Sequence, residues 1–536
     1  MGFSVVQVNV AWGTRPHDEA LNLRDVVTAP GDSESSVVAQ RRQEQQRRVA
    51  LAREAGLRTL FHFGSPFALR DPETGQVPES KGGLLQSLLK SPSPWFDVLN
   101  PAVVEHEVSL LRELRRAFPD LDDVLVYTYD QDAWQVSEFG PSHWSRGVPL
   151  HRRLPSYLSR LHDVWTDGRA GTSMLWWEPW ELSAGQVYGC LPALPRRAFG
   201  LMLHSNIAEV QIARPVDVWF RATAEMARDL GLPVVGEGFL GGVTEEVEPL
   251  TIPCPRLVDE QILAITGVKG VAGIKEYFGL LPLEPDPNLE MAAARFQHPE
   301  AATEDLLTGI TSRYGTAQGQ AREVFELCAR GVRVYPWDAS WYAREVGRAS
   351  ADHGWTAATV CGRLPFRGPR SSTPQGPLTS TPAWESSRYS HFMRNEDEDY
   401  EEPSPWLLED VQLRCEAAAS HFNAAIAIAE RVPELAVFIT SLRGFAKVAR
   451  SFALHLRETN VTRLLREDLA AGKPASNALL TELSELLDAD VRNQEGQGRV
   501  VTMRNAFLED PVRFVSTTLL PGKLVRERGI FTLTTR

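Results

Sequence analysis

The sequence predicts an α/β fold, a (β/α)8-type TIM barrel followed by an α-helical C-terminal domain. Short apolar runs alternate with helical patterns from the N-terminus to about Gly279, which is typical of parallel strands joined by crossover helices. Polar or aromatic residues follow each apolar run, as in barrels whose sites are built after the strand ends. No glycine-rich phosphate loop follows the first run, which disfavours an open doubly wound sheet.

The expected strands number seven, whereas a barrel of this type has eight. In chain order they are FSVVQVNVAW, LRTLFHFGSPF, DVLVYTYDQD, GTSMLWWEPWE, IAEVQIARPVDVWF, LPVVGEGFL and GVAGIKEYFG. Because the first run begins at Phe3, we expect the barrel to lack its first strand or to have another segment in that place.

Helical periodicity begins after Gly279 with NLEMAAARF, ATEDLLTGITSRYG and QAREVFELCARG. Clusters of Pro, Ser and Thr then lead to the acidic run NEDEDYEEP, which predicts a long loop or insertion. Helical spacing resumes at WLLEDVQLRCEAAASHFNAAIAIAERV and continues to roughly Leu487. We therefore expect a catalytic barrel over 1–285, a helical segment packed on it over 286–361, the insertion over 362–405 and a helical domain over 406–536.

Composition excludes several classes of protein. A formal net charge of −13 disfavours nucleic acid as a partner, since phosphate binding needs a basic face. No apolar run approaches the roughly 20 residues that span a bilayer, and MGFSVVQVNVAWG lacks the basic segment and cleavage site of a signal peptide. The 5 cysteines are scattered without a CxxC, which argues against disulfides and zinc. We expect a cytoplasmic protein without metal, cofactor or membrane partner, and leave a homodimer open.

Carboxylates and aromatic side chains gather where the predicted strands end. The polar residues are Asn9, His62, Asp130, Asp132, Glu138, Glu178, Glu181, Arg214, Asp217, Glu237, Lys275 and Glu276, and the aromatic ones include Trp12, Trp134, Trp176 and Trp177. Acidic groups beside flat rings suit a carbohydrate, whose C–H faces stack on rings and whose hydrolysis uses two carboxyl groups. Each residue alone has an ordinary structural explanation, but their coincidence at several strand ends favours a site.

Motifs for other chemistries are weak or missing. YDQDAW superficially resembles an oxygen-ligand metal loop but lacks the glycine and the terminal glutamate of an EF-hand. No HExxH and no GxSxG occurs, so a metalloprotease or an α/β-hydrolase has no motif support. An isomerase or a lyase activity on the same barrel remains an alternative, because a fold alone does not imply a function.

Four segments carry a family resemblance: LRTLFHFGSPF, the stretch from DVLNPAVVEHE to VSEFGP, EVQIARPVDVWF and GEGFLGG. Their order resembles the barrel of the microbial α-glucuronidase family of glycoside hydrolases over about Phe3 to Gly315. The resemblance implies that Glu138 is the general acid of an inverting enzyme. It also implies that Asp217 and Glu237 together act as the general base that holds the attacking water. In this family a Lys-Ala-Asp segment precedes the Ser-Glu pair that contains the general acid, whereas this chain has YTYDQDAWQ there. Because the replacement removes a cation near the acid, it disfavours a uronic acid substrate.

The sequence thus predicts a glycoside hydrolase that works by paired carboxylates and inverts configuration. The predicted catalytic residues are Glu138, Glu237 and Asp217, and the predicted substrate-binding residues are Asp130, Asp132, Trp134, Glu178, Arg214, Lys275, Glu276, His62, Asn9 and Trp12. If Glu276 were the working carboxylate, a retaining mechanism would follow. The alternative is a catalytically inactive barrel that binds a glycan or acts as a scaffold, which neutralisation of the carboxyls by Arg214 and Lys275 would favour.

Overall fold

The N-terminal half of the chain forms one curled parallel sheet. The computed structural model describes residues 2–9, 22–64, 98–127, 144, 147–169, 171–179, 184–203, 210–213, 215–216, 218–241, 252–276, 286–337, 405–496 and 499–517. Within them, seven strands lie side by side in chain order: β1 Val5–Gln7, β2 Arg58–Gly64, β3 Asp123–Tyr127, β4 Leu175–Glu178, β5 Phe199–Leu203, β6 Val234–Gly238 and β7 Val271–Glu276. This confirms the predicted barrel architecture with one strand fewer than eight.

Helices connect the strands and continue after them. Those of the barrel are α1 Ser36–Glu54, α2 Pro101–Ala117, α3 Leu150–Thr166, α4 Ala184–Cys190, α5 Val210–Ala213, α6 Val218–Asp229 and α7 Pro255–Thr266. The later ones are α8 Pro287–Gln297, α9 Thr303–Ser312, α10 Gln318–Val334, α11 Pro405–Ala429, α12 Ile439–Ala470, α13 Asn477–Asn493, α14 Arg499–Glu509 and α15 Pro511–Thr517. The helical C-terminal part is therefore as predicted, while most of the predicted insertion lies outside the described residues.

One strand assignment was wrong. The fifth strand is FGLML, Phe199–Leu203, and the segment expected to be that strand contains α5 and the start of α6. All five residues of β5 are buried, so the strand has no alternation of apolar and polar residues to reveal it. Arg214 and Asp217, which were placed at the end of that strand, lie outside the described residues.

Helix α8 covers the gap between the two edges of the sheet. Phe3, just before β1, meets Phe296 of α8 edge to face with ring centroids 5.5 Å apart. Both rings pack in a cluster with Leu240, Val258 and Ile274, the last of which belongs to β7. Apolar contacts with one helix therefore link β7 to the N-terminal end of β1 where an eighth strand would lie.

The side chains of each strand alternate between the helices and the inside of the barrel. Those facing inward form a small apolar layer of Leu60, Leu125, Met202, Trp176 and Val235. Residues two positions further along a strand lie on the same face, nearer the carboxyl end. The next inward layer therefore contains the polar residues predicted for the site.

The helical part shares a continuous core with the barrel. Apolar residues of the barrel side, such as Phe239 and Cys254, pack in one cluster with Phe325 of α10, Phe422 of α11 and Phe445 of α12. A second core joins the end of α12 to α13, α14 and α15. Among the described helices, none combines the length and apolarity needed to cross a bilayer.

Candidate functional site

Two glutamates and a lysine meet at the carboxyl end of the sheet. Glu178 is the last residue of β4, Glu237 is the fourth residue of β6, and Lys275 is the fifth residue of β7. Glu237 and Lys275 are direct neighbours in the register of β6 and β7. The three residues follow the inward positions Trp176, Val235 and Gly273 by two residues. Because side chains two apart in a strand lie on the same face, all three side chains face the mouth of the barrel.

Lys275 bridges the two carboxyl groups. Its Nζ donates to Glu237 Oε1 at 2.7 Å and to Glu178 Oε2 at 3.2 Å. The side chains of Glu178 and Glu237 are 2% and 0% exposed, whereas that of Lys275 is 17% exposed. Lys275 is thus the most exposed residue of the cluster.

The protonation of the cluster follows from its burial. Burial, then the charge of Glu237, raises the pKa of Glu178 to about 8, although Lys275 opposes the rise. Burial works to lower the pKa of Lys275, but Glu178 and Glu237 outweigh it and raise that pKa above its ordinary value. Both shifts favour a charged Lys275 ammonium beside a Glu178 carboxyl group that binds its proton more tightly than an exposed glutamate does.

Asn9 fixes the backbone at the end of β2. Its Nδ2 donates to the His62 carbonyl oxygen at 2.7 Å, and its Oδ1 accepts from the His62 backbone N–H at 2.8 Å. The amide side chain thus extends the ladder between β1 and β2 beyond the three residues of β1. The His62 ring lies edge to face with Tyr127 of β3, with ring centroids 5.1 Å apart. Both rings are buried on the inward face of the sheet.

Glu276 has a different role from its neighbour Lys275. Its Oε2 accepts from the backbone N–H groups of Leu240 at 2.6 Å and Gly241 at 3.2 Å. Because successive side chains of a strand point to opposite faces, Glu276 and Lys275 diverge. Glu276 thereby holds the segment that follows β6.

The structure brings together part of the predicted site. Glu178, Glu237 and Lys275 form the cluster, and Asn9 and His62 lie at the ends of the first two strands. The other predicted residues, Trp12, Asp130, Asp132, Trp134, Glu138, Arg214 and Asp217, lie outside the described residues. The sequence analysis did not single out Tyr127, which follows Leu125 at the inward spacing of two residues and could have been found by that period.

Comparison with solved structures identifies the type of barrel. A glycoside hydrolase family 138 enzyme targeting the pectin rhamnogalacturonan II is similar with a TM-score of 0.52 and 9% sequence identity, over 90% of this chain and 55% of that chain. The two chains share a similar fold. This chain therefore spans about half the length of that enzyme, and at this identity the likeness concerns the fold alone.

Two further solved structures give weaker matches. CpGH84B has a TM-score of 0.38 and 9% identity, over 92% of this chain and 74% of that chain. A Cellulomonas fimi endo-β-1,4-mannanase of glycoside hydrolase family 26 has a TM-score of 0.33 and 14% identity, over 54% of this chain and 64% of that chain. No protein-family model matches the sequence, and a search of curated proteins finds no significant relative. The α-glucuronidase family is thus not singled out.

Proposed function

We propose that the protein is a glycoside hydrolase whose carboxyl groups act at the mouth of the barrel. One observation carries the proposal: the carboxyl groups of Glu178 and Glu237 lie together at two strand ends, where burial raises the pKa of Glu178 to about 8. Hydrolysis of a glycosidic bond requires a carboxylic acid that protonates the leaving oxygen and a carboxylate that acts as base or nucleophile.

The proposed roles combine this geometry with the family resemblance. Glu237, with Asp217, is the base that positions and deprotonates the attacking water, and Glu138 is the general acid. Glu178, whose pKa burial raises to about 8, is the second candidate for the acid. Its carboxyl group and that of Glu237 both bind Lys275 Nζ, at 3.2 and 2.7 Å, which is too close for the acid and base of an inverting enzyme, so inversion is proposed with Glu138 as the acid. Base and acid on opposite faces of the sugar give inversion of the anomeric configuration.

A neutral or weakly charged sugar is the proposed substrate. Because Lys275 pairs with Glu178 and Glu237, and burial raises the pKa of Glu178, the cluster offers hydrogen bonds to hydroxyl groups without a strong field for or against an anion. The family 138 neighbour targets the pectin rhamnogalacturonan II, so pectin fragments belong in the substrate panel.

Hydrolysis of a panel of aryl glycosides, aryl glucuronides and pectin fragments tests the proposal, with the product anomer followed by NMR. We expect Glu237→Gln to lower turnover by about 10²-fold or more, because the amide cannot accept the proton. The matched control is Glu260→Gln on α7, where the exposed carboxylate pairs with Arg333. Full turnover by Glu237→Gln would contradict the proposed role of Glu237.

The leaving group separates the two candidates for the acid. A phenol of low pKa departs without protonation, so loss of the acid slows substrates with poor leaving groups most. We expect this dependence in Glu138→Gln and not in Glu178→Gln. The reverse pattern would assign the acid to Glu178.

A barrel that binds a glycan without cleaving it is the second candidate function. The two hydrogen bonds from Lys275 favour it, because they neutralise carboxyl groups that a hydrolase needs to reach its substrate. A folded protein that cleaves no member of the panel, but binds a glycan less tightly after Lys275→Met, would support this second function.

A further inference from the structure

A second buried cluster of ionisable residues lies in the helical C-terminal part. His455 and Glu458 are three residues apart on α12, which places them on one face of the helix, and Asp490 faces them from α13. One ligand atom from each residue lies within 4.8 Å of the other two. Their side chains are 1%, 6% and 0% exposed.

The carboxylate of Asp490 is oriented by a chain of hydrogen bonds. Its Oδ1 accepts from Ser451 Oγ at 2.7 Å, and Ser451 Oγ in turn accepts from Gln494 Nε2 at 2.8 Å. Its Oδ2 lies 2.7 Å from His455 Nε2. Such outer hydrogen bonds are typical of carboxylates that ligate metals, because they hold the second oxygen in one direction.

Glu458 lacks the partners that a buried carboxylate needs. Among the described residues, neither of its oxygens accepts a hydrogen bond, and its contact with His455 Nε2 is 3.8 Å long. A carboxyl group buried without hydrogen bonds is costly, and a metal ion bound between Glu458, His455 and Asp490 would give it a partner.

We propose that His455, Glu458 and Asp490 bind a divalent transition metal ion, with Zn²⁺ as the best fit, and that the ion joins α12 to α13. One imidazole and two carboxylates suit Zn²⁺ and its neighbours, whereas Ca²⁺ and Mg²⁺ prefer oxygen ligands alone. Bonds of about 2.0–2.2 Å in a tetrahedral site separate the ligand atoms by about 3.4 Å. The separations of 2.7 and 3.8 Å from His455 Nε2 lie on either side of that value.

The sequence analysis expected no metal, and its search could not have found this site. His455 and Glu458 stand three residues apart in the segment HLRE, which matches no recognised metal-binding motif. Asp490 lies on the next helix. The site depends on how α12 and α13 pack. It is separate from the proposed carboxyl groups of the barrel, so it stands or falls independently of the proposed function.

Metal titration of the full chain, free of any affinity tag and stripped with a chelator, tests the proposal. Calorimetry with ZnCl₂ is expected to give one ion per chain, and a concentration 100 times Kd is expected to raise Tm by about 3 °C. Co²⁺ in the same site is expected to absorb in the visible without the charge-transfer band of a thiolate. Absence of binding of Zn²⁺, Co²⁺ and Mn²⁺ by the folded wild type would overturn the proposal, whatever the variants do.

Glu458→Gln locates the ion, because it keeps the shape of the side chain and removes its charge. We expect metal affinity to fall by at least about 10-fold. The matched control is Asp488→Asn on α13, where the carboxylate pairs with Arg504 and lies away from the cluster. Equal affinity in Glu458→Gln and wild type, or a thiolate band with Co²⁺, would place the ion elsewhere and overturn the proposal.

Discussion

Glu178, Glu237 and Lys275 place two carboxyl groups around one ammonium in an interior where water is nearly excluded. Removing charges from water costs several kcal/mol per ion, and attraction within the cluster offsets this only while all three groups are present. Protonation of Glu178 reduces the cost further, because it leaves one carboxylate for one ammonium. The residues thus act as a unit in stability as well as in the proposed chemistry.

The free energy of unfolding should fall as pH rises from about 4.5 to 8 because of Glu178. In that window the folded state retains a proton that the unfolded chain has released, since the pKa is raised from 4.5 to about 8. Such a group contributes a slope of at most about 1.4 kcal/mol per pH unit. Urea titrations at several pH values should show a smaller decrease in Glu178→Gln, and an unchanged slope would argue against a protonated Glu178.

Replacement of Lys275 by Met should destabilise the protein by about 3–5 kcal/mol, because two buried glutamates lose their counter-ion. Adding Glu178→Gln and Glu237→Gln to Lys275→Met should recover part of the loss. Urea denaturation measures both effects. Lys473→Met is the control, since that lysine is 67% exposed and pairs with Asp468. If Lys275→Met is as stable as Lys473→Met, the stability of the cluster does not depend on Lys275.

Among the elements, β4 and β5 determine how the inside of the barrel is filled. The Trp176 ring of β4 lies across Gly200 of β5, and a Cβ built on Gly200 would be 2.6 Å from Trp176 Cε3 and 3.1 Å from the Pro233 carbonyl oxygen. The missing side chain thus makes room for the indole. This layer supports the mouth, because Glu178 follows Trp176 by two residues on the same face.

Gly200→Ala should cost about 1–3 kcal/mol, because the added methyl group overlaps the ring and the backbone. Gly273→Ala on β7 is the matched control, since nothing lies within 4 Å of a Cβ there, and it should stay within about 0.5 kcal/mol of wild type. Thermal and urea unfolding distinguish the two. Equal stability of the two variants would mean that Trp176 can move aside at little cost.

At the scale of the whole molecule, one side of the barrel shares a core with helices α10 to α12 through residues such as Phe239 and Cys254, while most buried barrel residues form a cluster of their own. Gly331 of α10 is a close point of this core, because its Cβ would lie 2.6 Å from the ring of Phe422 on α11. Arg295 of α8 adds a buried ionic link to α7 through two hydrogen bonds to Asp259, at 2.6 and 3.0 Å. These contacts join the barrel to the helical part in one cooperative unit.

Calorimetry should therefore show that the barrel and α8 to α12 unfold in one transition. Gly331→Ala should lower the Tm of that transition, with a loss of about 1–3 kcal/mol from overpacking. Gly319→Ala on the same helix, where a Cβ meets nothing within 4 Å, should leave the Tm unchanged or slightly higher. Two separate transitions, of which Gly331→Ala shifts only that of the helices, would contradict a shared core.

The sequence by itself determined the class of fold, because the periods of strands and helices are local properties of the chain. Six of the seven strands and the helices after Gly279 follow from these periods, while β5 escaped because burial on both faces removes its alternation. The location of charged residues at strand ends was equally local, and it included Glu178, Glu237 and Lys275.

Only the tertiary structure decided which of these groups meet. The curl of the sheet and the register of β6 with β7 bring Lys275 to both glutamates, and the same strand period turns Glu276 towards the backbone after β6. The packing of α12 on α13 likewise joins His455 and Glu458 to Asp490. Contacts between residues far apart in the chain depend on how elements pack, and a periodic pattern along one element has no information about its neighbour.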